Sequence, residues 1–202
     1  MHSKKLNLVF PRIPKNASSS VMCAIIKADK SVDNTCYHHT PLKDIHTPGV
    51  VFAIVRDPVD RFLSTCAFVK DMENVWRLRQ PHHKHVEDTF ITDMSTGGVA
   101  WLLYKSRHLL GCPGVGSFSD LWFPQKYFIT STTRKVDKFF DFSNLDPMWD
   151  WLETMGVGRL HENKSKLREG EKLPRRSLRL LEEIYAEDFE LYHSLKDSDG
   201  WG

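Results

Sequence analysis

The chain has 202 residues, of which 41% are hydrophobic and 27% charged, so it can bury a sizeable core as an ordinary globular protein does. Its net charge of +2 is too small to indicate binding to nucleic acid or to a membrane surface through overall charge. The sequence contains no apolar run of about 18 residues and no long hydrophobic segment near its start. These features predict a cytoplasmic protein whose affinity for anions, if any, is local.

Two apolar runs predict buried strands of a parallel sheet, "LNLVF" at 6–10 and "VVFAIVR" at 50–56. A helical pattern follows each run directly. Ser18, Ser19 or Ser20 is a candidate N-cap for the first helix, and the second has Asp57 as N-cap and Pro58 as its first residue. Strand-to-helix units of this kind predict an α/β fold with a central parallel sheet.

The rest of the chain gives further elements. Strands are predicted over "KYFIT" (126–130) and "KFFDF" (138–142), and a helix over 145–156 with Asp146 as its cap. One long amphipathic helix is predicted over 174–195. We interpret 1–202 as a single domain in which 72–125 is an insertion over the sheet. Three tryptophans of this insertion are candidates for stacking on a sugar or an aromatic ligand, although tryptophans are more often core residues: Trp76, Trp101 and Trp122.

The cysteines and histidines do not form a metal-binding pattern. The sequence has no CxxC pair, which favours reduced thiols at Cys23, Cys36, Cys66 and Cys112. The run "HHKH" at 82–85 lacks the cysteines or carboxylates that would complete a coordination shell. The sequence therefore predicts a protein without a metal cofactor.

The first strand-to-helix turn, "PKNASSS", has the residues of an anion site. Small side chains let a ligand approach the helix start, where backbone N–H groups favour an anion. Lys15 adds a positive charge and the serines add hydroxyl donors. The turn differs from the Walker motif, because it has no glycine and its lysine precedes the small residues. A serine-rich N-cap beside a solvated lysine is the alternative interpretation.

The second turn, "VRDPVDRFLS", repeats this chemistry. Arg56 ends the strand, where a guanidinium can hold a phosphate through two hydrogen bonds. Asp57, Arg61 and Ser64 lie on one helix face, so Ser64 can offer a hydroxyl to the same anion. The alternative is an N-cap aspartate with a surface ion pair to Arg61.

Together the two turns resemble the nucleotide-binding signatures of sulfotransferases that use 3′-phosphoadenosine 5′-phosphosulfate (PAPS). The likeness is greatest to the carbohydrate branch, which includes heparan sulfate 2-O-sulfotransferases, chondroitin-type enzymes and small soluble bacterial relatives. Further segments resemble the family in the same order, with 72–125 the least similar: "YHHTPLKDI", "FPQKYF", "VDKFFDFSNLD", "HENKS" and "IYAEDFELY". The resemblance implies a three-layer, P-loop-like fold and transfer of a sulfuryl group from PAPS to an acceptor hydroxyl, giving 3′-phosphoadenosine 5′-phosphate (PAP).

The resemblance also implies roles for individual residues. Lys15 corresponds to the catalytic lysine, and the 5′-phosphosulfate would be held by Lys15, Asn16, Ala17, Ser18, Ser19 and Ser20. Arg56 and Ser64 correspond to residues that hold the 3′-phosphate. His39 matches the proposed general base, with His38 as the second choice. Lys164 and Ser165, in a basic segment over 159–179, correspond to a loop that covers the nucleotide.

Two other functions remain open from the residues alone. A P-loop kinase for a small molecule would share the sheet and the anion-binding turn, although the Walker glycines are missing. A noncatalytic module that binds anionic glycans would use the basic segment over 159–179. The acceptor's identity and the oligomeric state do not follow from the sequence.

Overall fold

The computed structural model describes residues 1–32, 39–76, 94–110, 120–160, 173–198 and 200–201, with the backbone alone at 71–76 and 109. The described residues form a mixed α/β structure that divides into two compact units. The sheet unit comprises Met1–Asp57, Gln125–Lys164 and Glu190–Gly202, and the helical unit comprises Pro58–Pro124 and Ser165–Phe189.

The described helices and strands have the following bounds. The strands are β1 (His2–Ser3), β2 (Leu8–Val9), β3 (Val50–Val55) and β4 (Lys138–Asp141). The helices are α1 (Ser18–Ala28), α2 (Pro58–Trp76), α3 (Thr96–Lys105), α4 (Gln125–Ile129), α5 (Asp146–Glu153), α6 (Arg175–Ile184) and α7 (Ala186–Asp197). Short 3-10 turns lie at Leu42–Asp44, Arg107–Leu109 and Asp120–Trp122. None of the helices described is long and apolar enough to cross a membrane.

The four described strands form one open sheet in the order β1-β2-β3-β4. β1 is antiparallel to β2, whereas β2, β3 and β4 are parallel. Leu8 is aligned with Val50, and Val55 with Asp141. The carboxyl ends of the three parallel strands therefore lie at the same edge of the sheet, where the loops into α1 and α2 begin.

β3 is buried on both faces, as its uninterrupted apolar sequence predicts. Phe52 and Ile54 belong to a core that includes residues of α1 and α5. Phe52 stacks on Phe10 with ring centroids 4.6 Å apart. Val55 lies on the other face of the sheet, where it packs with Tyr192 and Leu195 of α7. Helices thus cover both faces of β3.

The helical unit has its own core, formed by α2, α3, α6 and the turn at 120–122. Its buried members include Phe62, Cys66, Val99, Leu103, Trp122 and Leu181. Arg61 is also buried, and its Nη2 donates to the carbonyls of Leu121 and Phe123 at 3.2 and 2.7 Å. Burial lowers the pKa of this guanidinium, while Tyr185, Asp188 and Asp120 act in the opposite direction. These two bonds satisfy carbonyls that would otherwise be costly to bury.

One predicted strand is a helix. Residues 126–130 lie largely within α4, which runs over Gln125–Ile129. Its buried residues are Gln125, Phe128 and Ile129, a spacing of three and four that places them on one side of a helix. A short apolar run does not by itself distinguish a strand from a helix.

Helix termini also differ from prediction. The N-cap position of α1 is Ala17, in a left-handed conformation without a side-chain cap, and the three serines lie inside the first turn. Asp146 is the first residue of α5 and Leu145 occupies the N-cap position, so Asp146 is not the cap. The predicted helix over 174–195 is two helices, α6 and α7, separated at Tyr185. The strand over 138–142 and the helix within 145–156 are confirmed.

Candidate functional site

The two predicted anion-binding turns meet at the carboxyl edge of the sheet unit. Arg56 follows β3, and its Nη1 donates to the carbonyl of Lys15 at 3.0 Å. Its guanidinium also lies over the ring of Phe142, 4.0 Å from the centroid. Arg56 is only 3% exposed, so its charge is held in place by these contacts. Two segments 41 residues apart in sequence thereby form one polar surface.

The loop that carries Lys15 has an unusual backbone. Lys15 and Ala17 have φ angles of 66° and 55°, in the left-handed region that glycine adopts most easily. Each such residue other than glycine costs about 1–2 kcal/mol. Neighbouring contacts must stabilise this conformation, and strain of this kind is characteristic of functional sites.

Asn16, between the two left-handed residues, provides part of that stabilisation. It is 1% exposed, and its Nδ2 donates to the carbonyl of Ile54 at 2.7 Å and to Gln125 Oε1 at 2.6 Å. Its Oδ1 is buried without a hydrogen-bond partner among the described residues. Asn16 therefore anchors the loop to β3 and α4 and does not present its amide N–H groups to a ligand.

Gln125 is the residue of this site that sequence reasoning missed. Its Oε1 also accepts from the backbone N–H of Arg56 at 3.0 Å, and its Nε2 donates to the Arg56 carbonyl at 2.8 Å. It is fully buried. The residue gave no useful signal in the sequence, because one glutamine before a short apolar run is compatible with a surface position.

The start of α1 is suited to bind an anion through its backbone. Left-handed Ala17 is followed by helical Ser18, and such a change of hand turns successive N–H groups toward one point. Ser18 and Ser20 are buried, whereas Ser19 is half-buried like Lys15. The first N–H groups of a helix have no partners within the helix and carry its positive dipole. The predicted residues therefore form a turn with ammonium, hydroxyl and amide donors.

His39 is attached to the same loop. Its Nδ1 lies 2.9 Å from the carbonyl of Arg12, and its ring packs edge-on against Phe128 of α4. Because a carbonyl only accepts, Nδ1 must be the donor in this contact. In the neutral ring Nε2 then has the lone pair, which is what a general base requires.

A lysine of α7 adds positive charge near the ends of β3 and β4. The pKa of Lys196 is raised by a hydrogen bond with Tyr192 and by the carboxylates of Asp141 and Asp57. Burial in turn raises the pKa of the Tyr192 hydroxyl. Since two carboxylates at this edge would repel an anion, the charge of Lys196 offsets part of that repulsion.

The remaining predicted residues lie elsewhere or outside the description. Ser64 is in α2 of the helical unit, 1% exposed, and its Oγ has no hydrogen-bond partner among the residues described. His38, Lys164 and Ser165 lie outside the described residues, as does the "HHKH" run. Within the described ranges, no three His, Cys, Asp or Glu side chains are grouped so as to hold a metal ion.

Comparisons with protein-family models, curated proteins and solved structures found no match for this chain.

Proposed function

We propose that the protein is a PAPS-dependent sulfotransferase that transfers a sulfuryl group to a hydroxyl, most simply of a carbohydrate. The observation that carries this proposal is the contact between the two turns, in which Arg56 Nη1 bonds to the carbonyl of Lys15. PAPS carries phosphate at two positions, so two cationic turns at one sheet edge suit it better than a ligand with one anionic group. The sequence resemblance adds a three-layer, P-loop-like fold to this proposal.

Residues of the sheet unit supply the chemistry. The acceptor hydroxyl gives its proton to His39 Nε2 as its oxygen attacks sulfur, while the bond between sulfur and the bridging phosphate oxygen breaks and PAP leaves. Lys15 and the N–H groups that begin α1 stabilise the charge that grows on that phosphate. Since positioning and charge supply most of the rate in such transfers, the proposed mechanism needs no covalent intermediate.

Arg56 is proposed to hold the 3′-phosphate, because it contributes a guanidinium at the end of β3, beside the loop that carries Lys15. The sequence resemblance alone adds Ser64 to this assignment.

Calorimetry with PAP tests the proposal. We expect the wild-type protein to bind PAP more tightly than ATP, and Arg56→Ala to weaken PAP binding by at least about tenfold, since a charge-assisted bond is worth roughly 1.5–3 kcal/mol. Arg134→Ala is the matched control, because Arg134 also donates to carbonyls, those of Thr47 and Gly49, at the opposite end of β3. Absence of PAP binding, or tighter binding of ATP, would contradict the proposal.

A further inference from the structure

Gln125 lies where three parts of the candidate site meet. Gln125 is the first residue of α4, and its side chain forms hydrogen bonds with the side chain of Asn16 and with both the N–H and the carbonyl of Arg56. The pairing with Arg56 resembles a strand pairing, in which one amide donates to and accepts from the same residue. One fully buried side chain thus holds both cation-bearing turns.

The orientation of this amide is fixed by its partners. The Arg56 N–H can only donate and the Arg56 carbonyl can only accept, so Oε1 and Nε2 of Gln125 cannot be exchanged. Asn16 Nδ2 must then face Gln125 Oε1 and the Ile54 carbonyl, which are both acceptors. The network has one arrangement, and this makes it suitable for holding a strained loop.

We propose that Gln125 is a positioning residue that holds Lys15 and Arg56 in the geometry required for sulfuryl transfer. This positioning role rests on the proposed function, whereas the hydrogen bonds of Gln125 are observed independently of it. Left-handed Lys15 and Ala17 flank Asn16, and Asn16 is held by Gln125 at 2.6 Å. Without Gln125 the loop can relax toward ordinary φ angles and carry the Lys15 ammonium away from the bridging oxygen.

The test compares Gln125→Met, which keeps the side-chain length and removes the hydrogen bonds, with wild type. Displacement of a catalytic group by about 1 Å can cost about 100-fold in rate. We expect PAP release from PAPS to slow by about 100-fold in kcat, with a smaller rise in KM, because Lys15 acts mainly in the transition state. Gln125→Asn, whose amide is one methylene too short, serves if the methionine variant does not fold.

Asp29→Ala is the matched control for lost stability. Asp29 is buried at the other end of α1, where it accepts hydrogen bonds from Ser3 and from the exposed Ser31, and none of these bonds involves the proposed machinery. We expect this variant to unfold more easily and to keep its kcat and KM for PAPS. If Gln125→Met, like Asp29→Ala, keeps its kcat and KM for PAPS, then Gln125 is not a positioning residue.

Amide hydrogen exchange separates this inference from the proposed function. Exchange of the segment 11–20 should be faster in Gln125→Met than in Asp29→Ala, whether or not any nucleotide binds. If wild type fails to bind PAP, the proposed function fails and faster exchange still supports the holding role of Gln125. Equal exchange in the two variants would overturn that role.

Discussion

At the scale of residues, one contact decides which nitrogen of His39 can act as a base. The Arg12 carbonyl requires a proton on Nδ1, so in the neutral ring the lone pair is on Nε2. The same contact fixes the ring beside the loop that carries Lys15. The contact with Arg12 therefore favours the tautomer of His39 that the resemblance to a general base requires.

We expect His39→Ala to lower the rate of sulfuryl transfer by about 10²- to 10⁴-fold, the usual contribution of a general base. PAP affinity should change little, since the imidazole would act on the acceptor. The measurement is kcat for transfer from labelled PAPS to a panel of carbohydrates, with PAP affinity by calorimetry. His46→Ala, at an exposed position two residues beyond the turn Leu42–Asp44, is the control and should keep full activity. A normal rate in His39→Ala would exclude this residue as the base.

Residue types predicted part of the site and tertiary contacts decided the rest. Lys15, the serines and Arg56 were candidates because charged and small residues followed two buried strands. The left-handed conformation of Ala17 was not predicted, because alanine is not typical of that region. Gln125 was missed because its partners lie 69 and 109 residues away in sequence.

At the scale of elements, the break between α6 and α7 falls at Tyr185, a buried residue. Its side chain is 2% exposed, and its hydroxyl donates to the Trp122 carbonyl at 2.9 Å. Burial raises the pKa of this hydroxyl, so it stays protonated and remains a donor. The apolar pattern continued through Tyr185 and indicated one helix, since the pattern carries no information about this distant carbonyl.

We expect Tyr185→Phe to lower the free energy of unfolding by about 1–3 kcal/mol, because the Trp122 carbonyl would stay buried without that donor. Urea unfolding followed by far-UV circular dichroism measures the change. Tyr104→Phe removes the hydroxyl of a half-buried tyrosine in α3 and should have a smaller effect. If the two variants lose the same free energy of unfolding, the hydrogen bond from Tyr185 to the Trp122 carbonyl does not contribute the stability expected of it.

At the scale of the whole molecule, Asp29 joins the start of the chain to the end of α1. Its carboxylate accepts from Ser3 Oγ at 2.5 Å, from Ser31 N at 3.0 Å and from Ser31 Oγ at 2.6 Å. The hydrogen bond from Ser3 and those from Ser31 lower the pKa of Asp29 from 3.8 to about 2. This contact therefore favours the folded state only while the carboxylate is ionised.

We expect this contribution to stability to be complete above about pH 5 and to be lost as the pH falls from 3.8 toward 2, because the folded pKa lies below the unfolded one. The difference in urea midpoint between wild type and Asp29→Asn should accordingly shrink over that interval. Asp44→Asn, at an exposed position, is the control. A difference that stays constant down to pH 2 would contradict the assignment.

The α/β class followed from the sequence, which also predicted a candidate site at the turns after two buried strands. Runs of apolar residues without polar alternation require burial on both faces, and this predicted parallel strands with helices and polar turns at their ends. The tertiary structure alone decided that the chain forms two compact units, that 126–130 is mostly helix and that Gln125 holds the two turns. These outcomes depend on hydrogen bonds and packing between residues far apart in sequence, which local periodicity does not encode.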